Sequence, residues 1–505
     1  MSASAGSHQS AIVDAILQRA ASMPNAVALV GPQEILRYRD LEQRIGDFSA
    51  KLENTGAHTL GIALDNSIEW AVADLAALDR GLQIVPIPTF FTPGQQAHLL
   101  KSACVDLVLG DLPLSQEDGW KPVDVDATAN PLFQSSNGRS APRGGKITFT
   151  SGSSDAPKGV VLSPKTIERT AQGIVTALSR LTLQRHLSVL PFATLLENIA
   201  GLYAPLLNGG EVYIPSAAMT GVGDAGLDIE NFSSLLNGSD ADTIILVPQL
   251  LTAVVTLCEM GLLSMDSFRL MAVGGGKVAP ELLRRAAQYA LPVCEGYGLS
   301  ECCSVLTLNL PGETRPGSVG KPLPHADIRV SADAEIQVRS PVMDGYLQQE
   351  SSPEEWYATG DLGYFDADGF LYVDGRRRNV FITSYGRNVS PEWIEASLTQ
   401  HAAIAQALAF GEARDHNLIL LWLRYPLEQE ALAELISVAN SELPDYASIH
   451  ALEVVQGLPD TDLITANGRL KRALALERYA ALIEQHYEQH SSLLNHKDAS
   501  SHAIL

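Results

Sequence analysis

Over its first three quarters the chain alternates short β-rich apolar runs with segments of helical periodicity. The runs are LGIAL (60–64), QIVPI (83–87), VDLVLG (105–110), ITFT (147–150), HLSVLPF (186–192), EVYIP (211–215), DTIILV (242–247) and RLMAVGGG (269–276). Helix-like stretches such as IEWAVADLAALDRG and PELLRRAAQYA fall between them. A strand followed by a helix, repeated, is the signature of parallel sheets covered by helices, which makes the class α/β. After about residue 316 the pattern shortens. IRV, AEIQVRS, GYFDADGFLYVDGR and FITSYGRNVS read as hairpins and small-sheet elements, with DADG as a turn. SPEWIEASLTQ then reads as a helix with Ser390 at its N-cap and Pro391 at its first position. A small α+β unit follows. The expected boundary lies in the Gly- and Arg-rich turn 374–379. This sets a large N-terminal core domain (1–375), a small C-terminal domain (376–485) and a polar, His-rich tail (486–505) expected to be a helix end and then disorder.

Composition excludes several classes. A chain of 505 residues exceeds a single ordinary core. With 35 Lys+Arg against 58 Asp+Glu, the net charge of −23 argues against nucleic acid or an anionic membrane as main partner. Five cysteines without a C-x-x-C pair suit reduced thiols in a cytoplasmic protein, and adjacent Cys302 and Cys303 read as buried beside a strand. The N-terminus lacks a secretory pattern, and TIILVPQLLTAVVTLC from Thr243 is too short for a membrane span; it reads as strand, turn and helix. His486 and His490 share a helix face but read as solvated residues, not a metal pair. No zinc spacing, G-x-S-x-G elbow or Rossmann G-x-G-x-x-G appears.

The chemistry gathers in a few segments. TFTSGSSDAPKGVV (148–161) leaves an apolar run and crowds hydroxyls, glycines and a lysine into one loop. Thr150, Ser151, Gly152, Ser153, Ser154, Lys158 and Gly159 suit a polyphosphate, because backbone N–H groups and hydroxyls donate while lysine adds a point charge. A Walker A loop cannot be fitted. Further on stand VGGGKVAPE with Gly275 and Gly276, YGLSECCSV with Tyr297, Ser300 and Glu301, and WYATGDLGYFDADGFLYVDGR with Asp361 and Arg376. An aromatic face suits a base, a carboxylate suits a hard cation, and one carboxylate can accept from both hydroxyls of a ribose.

In order and spacing these segments, with RPGSVGKPLPHADIRV, EIQVRSPVMDGYL and GRRRNVFITSYGRNVSPEWIE, resemble the acyl-adenylate-forming superfamily: acyl-CoA synthetases, peptide-synthetase adenylation domains and firefly luciferase. The resemblance spans nearly the whole chain and is nearest to a bacterial fatty-acyl-CoA synthetase. It implies a small β-barrel-like part after the parallel sheets and a mobile C-terminal lid. It also implies an AMP-forming acid–thiol ligase that takes a small carboxylic acid, Mg²⁺ and ATP, and transfers the acyl group to CoA or to a carrier-protein phosphopantetheine. By the same resemblance Tyr297 and the glycines flank adenine, and Ser300 bonds the α-phosphate or substrate carboxylate. Glu301 holds Mg²⁺, Asp361 and Arg376 take the ribose, and Arg378 is the hinge.

Two places depart from that pattern. The usual T-x-x-G-K-[IL]-x-R is LITANGRLKR (463–472) here, so Arg469 stands where a lysine bridges carboxylate and phosphate; Lys471 is the rival cation, on the same face if this is a strand. A cation matters there, because two like charges at ~4 Å repel by roughly 4 kcal/mol at an effective dielectric of 20. Weakened catalysis in a nucleotide-binding protein is therefore an alternative. In LPFATLLENIAG, Thr194 occupies a position that gates the acyl pocket in relatives. With Phe192 and Leu195 it suggests a wide apolar tunnel for a fatty acid, with an aryl acid or a carrier-protein route as rivals.

Overall fold

The computed structural model describes residues 10–487, apart from 115–118, 124–129, 136–143, 151–156, 224–225, 265–266, 350–354, 385–386 and 466–468. The chain divides into two compact units, Met1–Arg377 and Arg378–Leu505. The tail after residue 487, including His490, lies outside the described residues.

Two large mixed sheets carry the first unit. One has the parallel strands Gly145–Thr150, Gln83–Pro86, Thr59–Ala63 and Leu107–Gly110 at its centre. The other runs Val293–Leu299, Leu270–Val273, Thr243–Leu246, Arg185–Leu187, Glu211–Tyr213 and Val27–Val30, all parallel. Antiparallel strands finish both sheets at their edges. Thr59–Ala63, Gln83–Pro86 and Thr243–Leu246 are buried at every position, because helices cover parallel strands on both faces. The small β part is a four-stranded antiparallel sheet. There Ile336 and Val338 are buried while their neighbours are more open, the period-two alternation of a one-sided sheet. Its DADG turn closes when Asp366 accepts from the N–H groups of Asp368 (3.0 Å) and Phe370 (2.9 Å).

The helix Ile68–Asp79 is apolar nearly all round and buried over most of its length. Asp74 sits in its middle, fully buried. It takes the Lys146 ammonium from the strand Gly145–Thr150, the Tyr203 hydroxyl, and the Asn198 amide at 3.3 Å. Burial pushes the Lys146 ammonium below its ordinary pKa, and Asp74 opposes that. This group joins the strand that feeds the candidate phosphate loop to the π-helical turn Leu196–Tyr203.

The second unit is built on the strands Ile404–Phe410, Asn417–Leu423 and Ile449–Val455. Ile419 and Leu421 pack on one face with Ile394 and Leu398 from the helix Pro391–Thr399. Leu418, Leu420 and Trp422 pack on the other with Leu463 and Ala475. The helix starts with Ser390 as N-cap and Pro391 in its first turn, as its sequence predicts.

Candidate functional site

Thr150 and Lys158 face one another across an antiparallel ladder, so both ends of the candidate phosphate loop are anchored at one register pair. Ser151, Gly152, Ser153 and Ser154 lie outside the described residues. Lys158 is exposed, with its ammonium 5.6 Å from the centroid of the Tyr346 ring. Gly159 is buried; a Cβ there would come within 3.0 Å of Ile147 and 3.1 Å of Leu347. Its carbonyl accepts from Leu347 N–H at 2.7 Å. The structure thus gives Gly159 a packing reason, close approach of neighbouring strands, beside the phosphate role read from sequence.

Tyr297, Asp361 and Arg376 meet. The Tyr297 hydroxyl donates to Asp361 Oδ2 at 2.6 Å, and Arg376 Nε pairs with Asp361 Oδ1 at 2.8 Å. Arg376 Nη1 also donates to the Thr359 carbonyl at 3.2 Å. Asp361 and Arg376 are directly opposed on the strands Tyr357–Phe365 and Leu371–Arg376, so the hairpin itself sets their spacing. Both Asp361 oxygens already hold a partner. Burial, then the Asp361 charge, raises the Tyr297 pKa well above its ordinary value, so the hydroxyl stays a donor.

Ser300 and Glu301 open a single 3₁₀ turn, Ser300–Cys302, closed by Cys303 with a left-handed backbone. Cys302 and Cys303 are both fully buried. Glu301 Oε1 accepts from the Tyr346 hydroxyl at 2.9 Å. Gly275 and Gly276 lie exposed on the turn between Leu270–Val273 and the helix Pro280–Gln288. Lys277, next in line, donates to the carbonyls of Val373 (3.2 Å) and Asp374 (3.3 Å), tying this turn to the strand that ends in Arg376. Glu295 precedes Tyr297 by two residues on the same strand. Burial pushes its carboxyl up to about 8, against the Gly317 N–H and the Lys277 charge. Lys277, Glu295 and Tyr346 carried no role in the sequence reading, although Lys277 and Tyr346 lie inside quoted motifs.

Phe192 is fully buried against Trp70, ring centroids 5.2 Å apart, and Leu195 is also buried in the core. Thr194, half-buried, donates to the Pro191 carbonyl at 2.7 Å. Just beyond, buried Glu197 pairs with His186 at 3.0 Å. Gly201 makes room for that pair, since a Cβ would lie 2.6 Å from both side chains.

Arg469 and Lys471 belong to the second unit. Arg469 is exposed, and its N–H donates to Thr465 Oγ1 at 3.0 Å while its carbonyl accepts from Thr465 at 2.6 Å. Leu470 bridges to Ile464, and Lys471 caps the helix Arg472–Arg478. Among the described residues this stretch pairs only through that single antiparallel bridge before the helix begins, and residues 466–468 lie outside them. Arg472 is the anchor: it pairs with half-buried Glu395 and donates to the Ala409 carbonyl. Burial raises the Glu395 pKa, and Arg472 pulls it back. Arg378 is the first residue of the second unit.

Among the described residues no group of three or more His, Cys, Asp or Glu is placed to hold a metal. Glu301 supplies a hard oxygen, which fits Mg²⁺ bound through one carboxylate with phosphates and water completing its shell. No helix among the described residues is long and apolar enough to cross a membrane.

Together these features place the candidate nucleotide residues Tyr297, Glu301, Asp361 and Arg376 on the larger unit of an α/β fold. The family model for AMP-binding enzymes matches residues 16–347, and that for the AMP-binding enzyme C-terminal domain matches residues 378–491. The chain belongs to the AMP-binding enzyme family. It is 28% identical over 482 residues to 2-succinylbenzoate–CoA ligase of Bacillus licheniformis, covering 88% of this chain and 95% of the relative. A long-chain-fatty-acid–CoA ligase of Mycobacterium bovis is 30% identical over 253 residues, 43% of this chain and 42% of the relative. The fold is shared with o-succinylbenzoate CoA synthetase from Bacillus subtilis bound to the acyl-adenylate OSB-AMP (TM-score 0.72, 23% identity, 91% of this chain and 97% of that one). It is also shared with the anthranilate CoA ligase AuaEII bound to anthranoyl-AMP (TM-score 0.75, 19% identity, 95% and 99%).

Proposed function

We propose that this protein activates an aromatic carboxylic acid and passes the acyl group to CoA. The broader activity is that of an AMP-forming acid–thiol ligase, with ATP, Mg²⁺, a small carboxylic acid and CoA as its reactants. In the first step a carboxylate oxygen attacks the α-phosphorus, the bond to the β-phosphate breaks, and pyrophosphate leaves. In the second the CoA thiolate attacks the acyl carbon, and AMP leaves with the electron pair.

The observation that carries the reading is the meeting of Tyr297, Asp361 and Arg376 on the same unit as Glu301 and Lys158. In this reading Tyr297 presents its ring to adenine beside the Gly275–Gly276 turn. Asp361 and Arg376 take the ribose, and Ser300 the α-phosphate. Thr150, the hydroxyl-rich loop and Lys158 clamp the leaving pyrophosphate. Mg²⁺ at Glu301 supplies charge neutralisation on the phosphates. Arg469 bridges carboxylate and α-phosphate, and Arg378 is the hinge that exchanges the adenylating and thioester-forming faces.

The acid class is where the relatives and the sequence reading part. Phe192 and Leu195 are buried in the packed core, and Glu197 pairs with His186 in the interior. That arrangement favours a compact acid over a long chain. The relative matched along most of the chain and both structures named above have aromatic acids in their names. The M. bovis relative favours a fatty acid as the second reading. Acid-dependent pyrophosphate release with benzoate-type acids and C6–C18 fatty acids separates the two. Release only with the fatty acids would replace the first by the second, and release with neither while ATP still binds would overturn both.

A further inference from the structure

One side chain touches two of the residues assigned to Mg·ATP. The Tyr346 ring lies under the Lys158 ammonium, 5.6 Å from its centroid, and the Tyr346 hydroxyl donates to Glu301 Oε1 at 2.9 Å. A second tyrosine, Tyr357, lies within electrostatic reach of both Tyr346 and Glu301. The backbone is secured as well. Tyr346 pairs with Val160, two residues past Lys158, and Met343 N–H donates to the Glu301 carbonyl at 2.7 Å. A tyrosine hydroxyl is protonated at neutral pH and can donate to that carboxylate. A hydrogen bond to a carboxylate is stronger than one between neutral groups.

We propose that Tyr346 is a positioning residue: its hydroxyl aims the Glu301 carboxylate and its ring places the Lys158 ammonium, so that divalent cation and pyrophosphate are held in one register. The proposal rests on the reading that Glu301 and Lys158 serve Mg·ATP. Tyr357 acts through Tyr346.

The test is ATP binding by titration calorimetry on the full-length protein, with Mg²⁺ varied and with Mg²⁺ chelated, on Y346F, Y346L, Y357F and E301Q. Y346F keeps the ring and loses the donor. It should raise the Mg²⁺ concentration needed for half-maximal ATP binding roughly tenfold and leave Mg²⁺-free affinity unchanged. Y346L removes the ring too and should weaken Mg²⁺-free binding by a further factor of roughly two to five. Y357F should show part of the Y346F effect. Thermal melts of each variant read folding separately. If E301Q shifts the Mg²⁺ dependence and Y346F and Y357F do not, the Tyr346 role is overturned while the Glu301 reading stands. If E301Q leaves the dependence unchanged, the underlying reading falls and Tyr346 with it. Equal losses with and without Mg²⁺ in Y346F would reduce the residue to a structural one.

Discussion

The two units carry their candidate residues in opposite ways. In the first, Tyr297, Asp361 and Arg376 already hold one another, and Glu301 is held by Tyr346. In the second, Arg469 is exposed and is tied through its backbone to Thr465. Three residues on, Arg472 is clamped to Glu395 and the Ala409 carbonyl. The difference is one of anchoring: the first set is held by side-chain bonds among its own members, while Arg469 is anchored to Thr465 through its backbone. A site that must bind before it reacts benefits from preorganised donors. A group that serves only one of two successive steps benefits from being movable.

Five substitutions would sharpen or break this contrast. The largest effect falls on the scaffold of the rigid side. Asp74→Ala leaves Lys146 buried without its carboxylate, which should cost about 3–5 kcal/mol of stability, read by denaturant titration. A loss below ~1 kcal/mol would mean the first unit is less rigid than its polar core implies. Next, Arg469→Ala should slow acyl-adenylate formation by about 10²–10³-fold with little change in ATP affinity, measured by pyrophosphate release and calorimetry. Lys471→Ala should do far less; the reverse order would reassign the bridging cation. Asp361→Asn should weaken ATP binding roughly tenfold, since it removes a charged acceptor. An unchanged affinity would take the ribose role from it.

The last of them, at Glu295, is read through pH. Its carboxyl is pushed up to about 8 by burial, from an ordinary value of 4.5. Between those values the folded protein keeps a proton that the unfolded chain has released. Stability therefore falls as pH rises through that window, by at most about 1.4 kcal/mol per pH unit, and levels off on either side. Glu295→Gln removes the titrating group, so melting temperatures between pH 5 and 9 should lose that part of their slope. A slope identical to wild type would show that Glu295 is already ionised across the range.

Much of this was legible in the residues. Apolar runs such as TIILV and LMAV became parallel strands, because a strand covered on both faces has no polar side to display. Ser390 and Pro391 marked a helix start through local backbone chemistry alone. Tyr297, Asp361 and Arg376 were each found by motif, and the structure brings them together. The reading of Phe192 and Leu195 was less complete, because an apolar residue looks the same in sequence whether it lines a pocket or fills a core.

What the sequence determined by itself was therefore local: element type, helix starts, the order of the motifs and the kinds of side chain available to a nucleotide. Tertiary structure alone decided which of them touch. Tyr346 reaches Glu301 across 45 residues, and Asp74 meets Lys146 across 72, with no spacing rule that links either pair. The reason is range. A hydrogen bond or ion pair acts over about 3–4 Å, and whether two distant residues come that close depends on how sheets and helices pack, which no single stretch of chain encodes.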